Sequence, residues 1–194
     1  LHLIVEKSKT HTVLPRVMKA AIRLFVELGI DGTTIKDIAR VGGVSEGAFY
    51  RHFKSKEDLA YYIFSNHVNE FSFELTAKVA VASAARSKLR AYVETCFEAY
   101  EKERDLFTYL ILSEHRALDR FPVTYRHPGH VALDLVAEGQ KSKDFRPMDP
   151  YVAASLIVGS IIRLCVVRFR EGIGRDLRKE TETVTEALWR ALSK

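Results

Sequence analysis

The sequence predicts an all-α fold, and three observations carry that prediction. Apolar residues recur at spacings of three and four along nearly the whole chain, which is the helical period. No segment reads as a strand. Glycines, prolines and short polar residues fall where helices would start and stop. Of 194 residues, 47% are apolar and 28% charged, enough for a real core under an ordinary polar surface.

The first helix is expected from about residue 12 to 28. Val13, Val17, Ala20, Ala21, Leu24, Phe25 and Leu28 share one face, Thr12 can cap it, Pro15 sits in its first turn and Gly29 ends it. Asp31-Gly32 makes a turn. Thr34 is a natural N-cap with Asp37 three residues on, opening a two-turn helix over 35–41 with Ile35, Ile38 and Ala39 inward. Gly42-Gly43 stops it, Val44 anchors the turn, and Ser45 opens the next short helix, a two-turn rod whose Phe49 and Phe53 face the core. Ser55 caps a long helix with Asp58 at its third position. Short helix, glycine turn, short helix is the helix-turn-helix pattern.

With Phe49 and Phe53 committed inward, Glu46, Gly47, Ala48, Tyr50, Arg51 and His52 are left outside or at the edge. Gly47 costs about 1 kcal/mol of helix stability relative to Ala, but it lets the front of the helix approach a grooved partner closely. The front end of such a helix reads base edges in the major groove of DNA. Tyr50, His52, Lys56 and Thr34 are placed to donate to flanking phosphates. Charge agrees: residues 1–56 hold ten Lys/Arg against five Asp/Glu, while the remaining 138 hold equal numbers of each. A basic module joined to a neutral one suggests a polyanion-facing part and a part with another task.

The stretch "TTIKDIARVGGVSEGAFYRHFKSKEDL" resembles the N-terminal domain of TetR-type transcriptional regulators, over roughly residues 12–62. Gly42 departs from the family's usual Ala, a packing position. The resemblance implies an all-helical homodimer on a palindromic operator in double-stranded DNA, with a divergent ligand-sensing C-terminal domain. It assigns phosphate contact to Thr34, Tyr50, His52 and Lys56, and base-edge contact to Glu46, Gly47, Ala48 and Arg51. Domains are expected at 1–56, the DNA-binding part, and 57–194, the helical ligand-binding and dimerisation part.

Beyond Lys56, helices are expected at about 56–81, 86–102, 105–118, 129–141, 150–171 and 175–192, with Asp149 capping the fifth and Gly172 and Gly174 ending it. The helix over 150–171 is apolar nearly all round in its first half, with Gly159 and Ser160 allowing close approach. A second copy of the chain is the economical cover for it. Phe64, His67, Phe71, Phe97, Tyr100, Phe107 and Tyr109 can line a pocket between helices, with Arg116 or Arg163 at a polar end, for an apolar or anionic small-molecule effector.

No glycine-rich phosphate loop, H-E-x-x-H, C-x-x-C or G-x-S-x-G is present. His115, His127 and His130 lack evident partners for a metal and read as surface histidines, so no metal, cofactor or catalytic residue is expected. An all-helical enzyme and an architectural DNA-binding protein without an effector are the rival readings. Cys96 and Cys165 lie in helical patterns rather than at loop spacings, which fits a reducing cytoplasm. No uninterrupted apolar run reaches about 18 residues, and the opening "LHLIVEK" is too short for a secretory segment, so no membrane span is expected.

Overall fold

Caps and breakers set most of the helix boundaries. The structure, a computed structural model, describes residues 2–118, 125–171 and 176–194, and the side chains of 13–113, 125–170 and 176–194. In order these residues form α1 (His2–Leu28), α2 (Ile35–Gly42), α3 (Glu46–Tyr50), α4 (Lys56–Val81), α5 (Ala85–Lys102), α6 (Arg104–Leu118), α7 (Pro128–Lys141) and α8 (Pro150–Glu171). A 3-10 turn at Leu177–Glu180 and α9 (Thr181–Leu192) follow. The fold is all-α; among the described residues, β pairing is confined to one bridge between Phe145 and Ser193.

Contacts divide the chain into two units, Leu1–Asn66 with Leu112–Asp119, and His67–Ile111 with Arg120–Lys194. The first unit therefore takes in the opening turns of α4 as well as α1–α3. Its core is Val17, Ala20, Ala21, Leu24 and Phe25 of α1, Ile38 and Ala39 of α2, Phe49, Phe53, and Leu59 and Ile63 of α4, all buried. Leu28, expected on the inner face, is exposed at the end of α1.

Two boundaries differ from expectation. Helix α1 starts at His2, so Thr12 lies inside it and Pro15 interrupts it rather than opening it. Residues 2–11 contain no glycine or proline to stop a helix, and Pro15 withdraws only one i→i−4 bond from the ladder. The last helix is not continuous from 175. The Asp176 carboxylate accepts from Arg178 N at 3.0 Å, the chain winds first as a 3-10 turn, and α9 begins at Thr181. Gly172 and Gly174 lie outside the described residues.

The second unit packs one core from the end of α4 and from α5, α7, α8 and α9. At its edge Glu101, with only 2% of its side chain exposed, gathers several donors. Leu177 N donates at 3.0 Å, Arg168 Nε at 3.2 Å and Arg104 Nε at 2.9 Å. Burial would raise this carboxyl, but the Leu177 N–H and the two guanidinium groups outweigh it and hold it below the usual range. One buried carboxylate thus ties α5 to α6, α8 and the 3-10 turn.

Helix α8 is half covered. Asp149 caps it, accepting from Tyr151 N at 2.9 Å and Val152 N at 3.1 Å. Ala153, Ala154, Ile157, Ile161 and Cys165 are buried, while Tyr151, Val152, Leu156 and Phe169 are exposed. By length and composition Pro150–Arg170 is long and apolar enough to cross a membrane, which corrects the expectation that no segment is. Counting uninterrupted runs missed it, because a single Arg163 breaks the run without abolishing the mean hydropathy. One face of the helix is spent on the core of the unit.

His127 and His130 are not loose surface groups. Pro128 takes the first position of α7, and His127 Nδ1 accepts from Gly129 N at 3.2 Å while His130 Nδ1 faces His127 N at 3.4 Å. The two rings meet edge to face at 4.3 Å between centroids. The His127 acceptor nitrogen must be unprotonated for this cap, and a helix N-terminus disfavours added positive charge. Burial, then the neighbouring His130, lowers the pKa of His127 below 6.5. The unfolded chain therefore binds the proton more readily, so stability from this group is intact above about pH 6.5 and is lost as pH falls through the folded value. Arg126, paired with Asp134, and the Tyr92 hydroxyl, which donates to Pro128 O at 3.0 Å, are the other polar groups at this helix start. Thermal melts from pH 8 to pH 5 are expected to show a fall in Tm that His127→Asn, a cap that does not titrate, makes shallower; parallel curves for both proteins would refute this assignment.

Candidate nucleic-acid interface

The turn between α2 and α3 is built on Gly43. It sits at φ +60°, its N–H donates to Arg40 O at 3.2 Å, and Val44 N donates to Ala39 O at 2.9 Å, closing the end of α2. Arg16 of α1 donates through Nη2 to Gly43 O at 2.6 Å, and a Cβ at residue 43 would lie 2.4 Å from that same nitrogen. The left-handed backbone angle favours glycine here, and a larger residue would also displace the guanidinium from its seat. Two residues on, the Ser45 hydroxyl accepts from Ala48 N at 3.1 Å and starts α3.

Helix α3 is shorter than the two turns expected. It spans five residues, and the chain continues as a turn in which His52 N and Phe53 N both donate to Phe49 O, at 2.9 and 3.1 Å. Phe49 and Phe53 are buried as expected. Ala48 is not at the edge: with 5% exposure it is part of the core, so its methyl is unavailable to a partner. The reason is the capping geometry, which turns the third helical position toward the same side as Phe49. Glu46, Gly47, Tyr50 and Arg51 are exposed, and His52 is half-buried. Tyr50, 56% exposed, stands edge-on to Phe49 at 5.6 Å.

Gly47 has no internal reason to be glycine. Its φ is not positive, and an added Cβ would meet nothing closer than the Ser45 hydroxyl at 3.9 Å. A residue that weakens its helix by about 1 kcal/mol without relieving any clash inside the chain leaves the space in front of it for something outside.

Thr34 caps α2, accepting from Asp37 N at 3.1 Å and donating to Asp37 Oδ2 at 2.5 Å. The Thr34 hydroxyl, then Arg40, hold the Asp37 carboxyl below its usual 3.8. Lys56 begins α4, where a cation faces the unfavourable end of the helix dipole. Its ammonium is not left for an external anion alone: Nζ donates to Thr33 O at 2.8 Å and Asp31 O at 3.1 Å. Those carbonyls lie in the α1–α2 turn, so Lys56 fastens α4 to the turn that presents Thr34.

The candidate effector residues divide. Phe97 and Tyr100 are buried in the core of the second unit, and Phe71, packed edge-on to Phe107 at 4.9 Å, lies against it. Tyr109 is buried in that unit too, and Phe64 is buried in the first. His67 is half-buried beside Glu70 at 3.5 Å. Arg163 is exposed on α8, and Arg116 lies outside the described side chains. Sequence reasoning missed Thr108, whose buried hydroxyl lies beside the Tyr100 phenol. Among these residues no group of three His, Cys, Asp or Glu side chains is placed to hold a metal ion.

Residues 17–63 match the family model for bacterial regulatory proteins of the tetR family, a span holding Gly43, the Ser45 cap, Gly47, Tyr50 and Lys56. That N-terminal segment is of the tetR type. An uncharacterized HTH-type transcriptional regulator, YerO of Bacillus subtilis, is 36% identical to this chain over 107 residues, 52% of the chain and 35% of the relative. The HTH-type transcriptional repressor KstR2 of Rhodococcus jostii is 33% identical over 85 residues, 44% of the chain and 42% of the relative. These matches thus span well under half the length of the curated relatives. The crystal structure of the transcriptional regulator FadR from Bacillus subtilis in complex with stearoyl-CoA superposes with a TM-score of 0.72 at 20% identity, covering 89% of this chain and 96% of that one. At that identity the likeness establishes a shared fold.

The front of α3 yields a direct expectation. Gly47→Ala should leave the melting temperature unchanged or raise it, by up to about 1 kcal/mol of added stability, while weakening duplex binding. Urea unfolding and fluorescence anisotropy on the same protein check both halves, and unchanged duplex affinity would show that nothing approaches residue 47.

Proposed function

We propose that this protein is a transcriptional regulator, acting as a repressor, whose dimer grips a palindromic operator and releases it when a small molecule binds the C-terminal unit. The observation that carries the reading is the front of α3, where Gly47 leaves open space that nothing within the chain requires. Glu46 and Arg51 beside it are the base-edge candidates, and Tyr50, His52 and Thr34 the phosphate contacts, with helix N-terminal amides assisting at Thr34. Lys56 acts chiefly by fixing the Thr34 turn. Ala48 drops out of the contacting set because it is buried. KstR2, named a repressor, supports the sign of regulation. The chain is placed in the cytoplasm, where its operator would be.

The outward row of α8 supports the dimer. Val152, Leu156, Gly159 and Arg163 are all exposed at spacings of three and four, Val152 at 52% and Leu156 at 42%. A Cβ at Gly159 would meet no atom of the chain within 4 Å. On α9, Thr183, Ala187 and Ala191 form a second exposed row of small side chains. Two such rows meeting their copies make an isologous four-helix interface. Arg163 belongs to this row and fits an interface better than a ligand pocket.

For the effector, an acyl thioester of coenzyme A is the class best supported, since FadR of the same fold is described in complex with stearoyl-CoA. The aromatic group of Phe71, Phe97, Tyr100 and Phe107 suits an acyl chain. Thr108 sets a buried hydroxyl beside the Tyr100 phenol, a polar point at the edge of this group. Helix α4 runs unbroken from Lys56 to Val81 and contributes residues to both units; we take it as the element by which occupancy alters the spacing of two DNA-binding heads. The effector can act only through different affinities for the two spacings.

Footprinting on the DNA upstream of the adjacent genes tests the reading. A protected inverted repeat, released by stearoyl-CoA and not by coenzyme A, is the expected result; no protection at any protein concentration would overturn it. Leu156→Glu is expected to halve the mass seen by sedimentation velocity, and an unchanged mass would remove α8 from the interface.

A further inference from the structure

The basic excess of the first 56 residues is larger than the recognition helix uses. Of ten Lys and Arg there, the groove-facing reading employs Arg51 and Lys56, and the Lys56 ammonium is already engaged with two backbone carbonyls. Three of the others, Arg16, Lys19 and Arg23, fall at i, i+3 and i+7 of α1 and are exposed. They line one side of an open pocket of about 370 Å³ whose other side is the end of α2 and the turn, Gly42 and Gly43. No carboxylate is among the residues lining it.

The pocket is organised before anything enters it. The Arg16 guanidinium is pinned to Gly43 O at 2.6 Å, and Arg23 Nε is held by Glu27 at 2.9 Å. Gly42 and Gly43 let α1 come close: a Cβ at residue 42 would sit 3.3 Å from the Arg16 carbonyl oxygen. A guanidinium fixed in this way loses less freedom on meeting an anion, and its planar fork matches phosphate oxygens, while Lys19 adds a point charge. The turn that Arg16 holds leads within two residues to the Ser45 cap, so this basic face continues from the surface that presents α3.

We infer that the Arg16–Lys19–Arg23 face of α1, with the α2–α3 turn, is a phosphate-binding surface, taking duplex backbone phosphates beyond those reached from α3. The duplex as source rests on the operator reading above; the phosphate chemistry does not. Counterion release makes each such contact visible, because log K falls against log salt concentration by about 0.9 for every phosphate neutralised.

The experiment compares the full chain with Lys19→Gln/Arg23→Gln, both positions exposed, and with Lys19→Gln alone should the pair melt early. Binding to a mixed-sequence duplex is followed across a potassium chloride series, and inorganic tripolyphosphate is titrated by calorimetry. A salt slope shallower by about 1 to 2 in the double variant establishes duplex phosphates as the ligand. An unchanged slope together with saturable tripolyphosphate binding that the double variant loses establishes a free polyphosphate instead. An unchanged slope and no tripolyphosphate binding overturn the site. If the wild-type chain binds no duplex at any salt concentration, the operator reading fails and the tripolyphosphate arm alone decides the site.

Discussion

The outward surface of the N-terminal unit depends on how the chain turns at Gly43. A left-handed backbone there closes α2, sets Ser45 to cap α3 three residues before Ala48, and aims Phe49 into the core. Arg16 then locks the turn from α1 through a single charge-assisted bond to the Gly43 carbonyl. Each of these contacts is local and modest. Together they remove most of the freedom of a five-residue helix far too short to persist alone. What is left outside, from Glu46 to Arg51, is held by neighbours rather than by its own hydrogen-bond ladder.

Cations in this unit serve two ends. Some are spent inside the fold: Lys56 on the carbonyls of Asp31 and Thr33, Arg40 on Asp37, and part of Arg16 on the turn. The carbonyl bonds of Lys56 and Arg16 shape the surface without neutralising it, because a carbonyl acceptor leaves the formal charge in place, whereas Arg40 is offset by Asp37. The unit therefore keeps its positive field while its geometry is fixed, a combination suited to a polyanion. In the C-terminal unit, by contrast, the buried Glu101 is matched by Arg168 and Arg104, and the charge is cancelled where it is buried.

Much of the fold was legible because caps and periodicity agreed. Thr34, Ser45, Ser55 and Asp149 each sat before an apolar period and each accepts the expected backbone N–H. Legibility failed where a local signal had two meanings. Pro15 reads equally as the first turn of a helix or as an interruption of one, and only the run of helix-compatible residues before it decides. His127 and His130 read as surface groups around a Pro-Gly turn, although Pro128 at a first helical position was the available sign of a cap. Ala48 was misplaced because the Ser45 cap turns its position toward the core, which its small side chain does not announce. The Lys56 partners were not readable at all, since Asp31 and Thr33 supply backbone carbonyls that any residue would supply.

Hydrogen exchange on the full chain, with and without a duplex recovered from a random pool by the protein itself, tests the central claim most directly. The account predicts slower amide exchange across Thr34–Lys36 and Ser45–His52 on adding the duplex, with the core amides of α5 and α7 unaffected. Recovery of a duplex whose binding leaves those two segments exchanging at the free rate would contradict it.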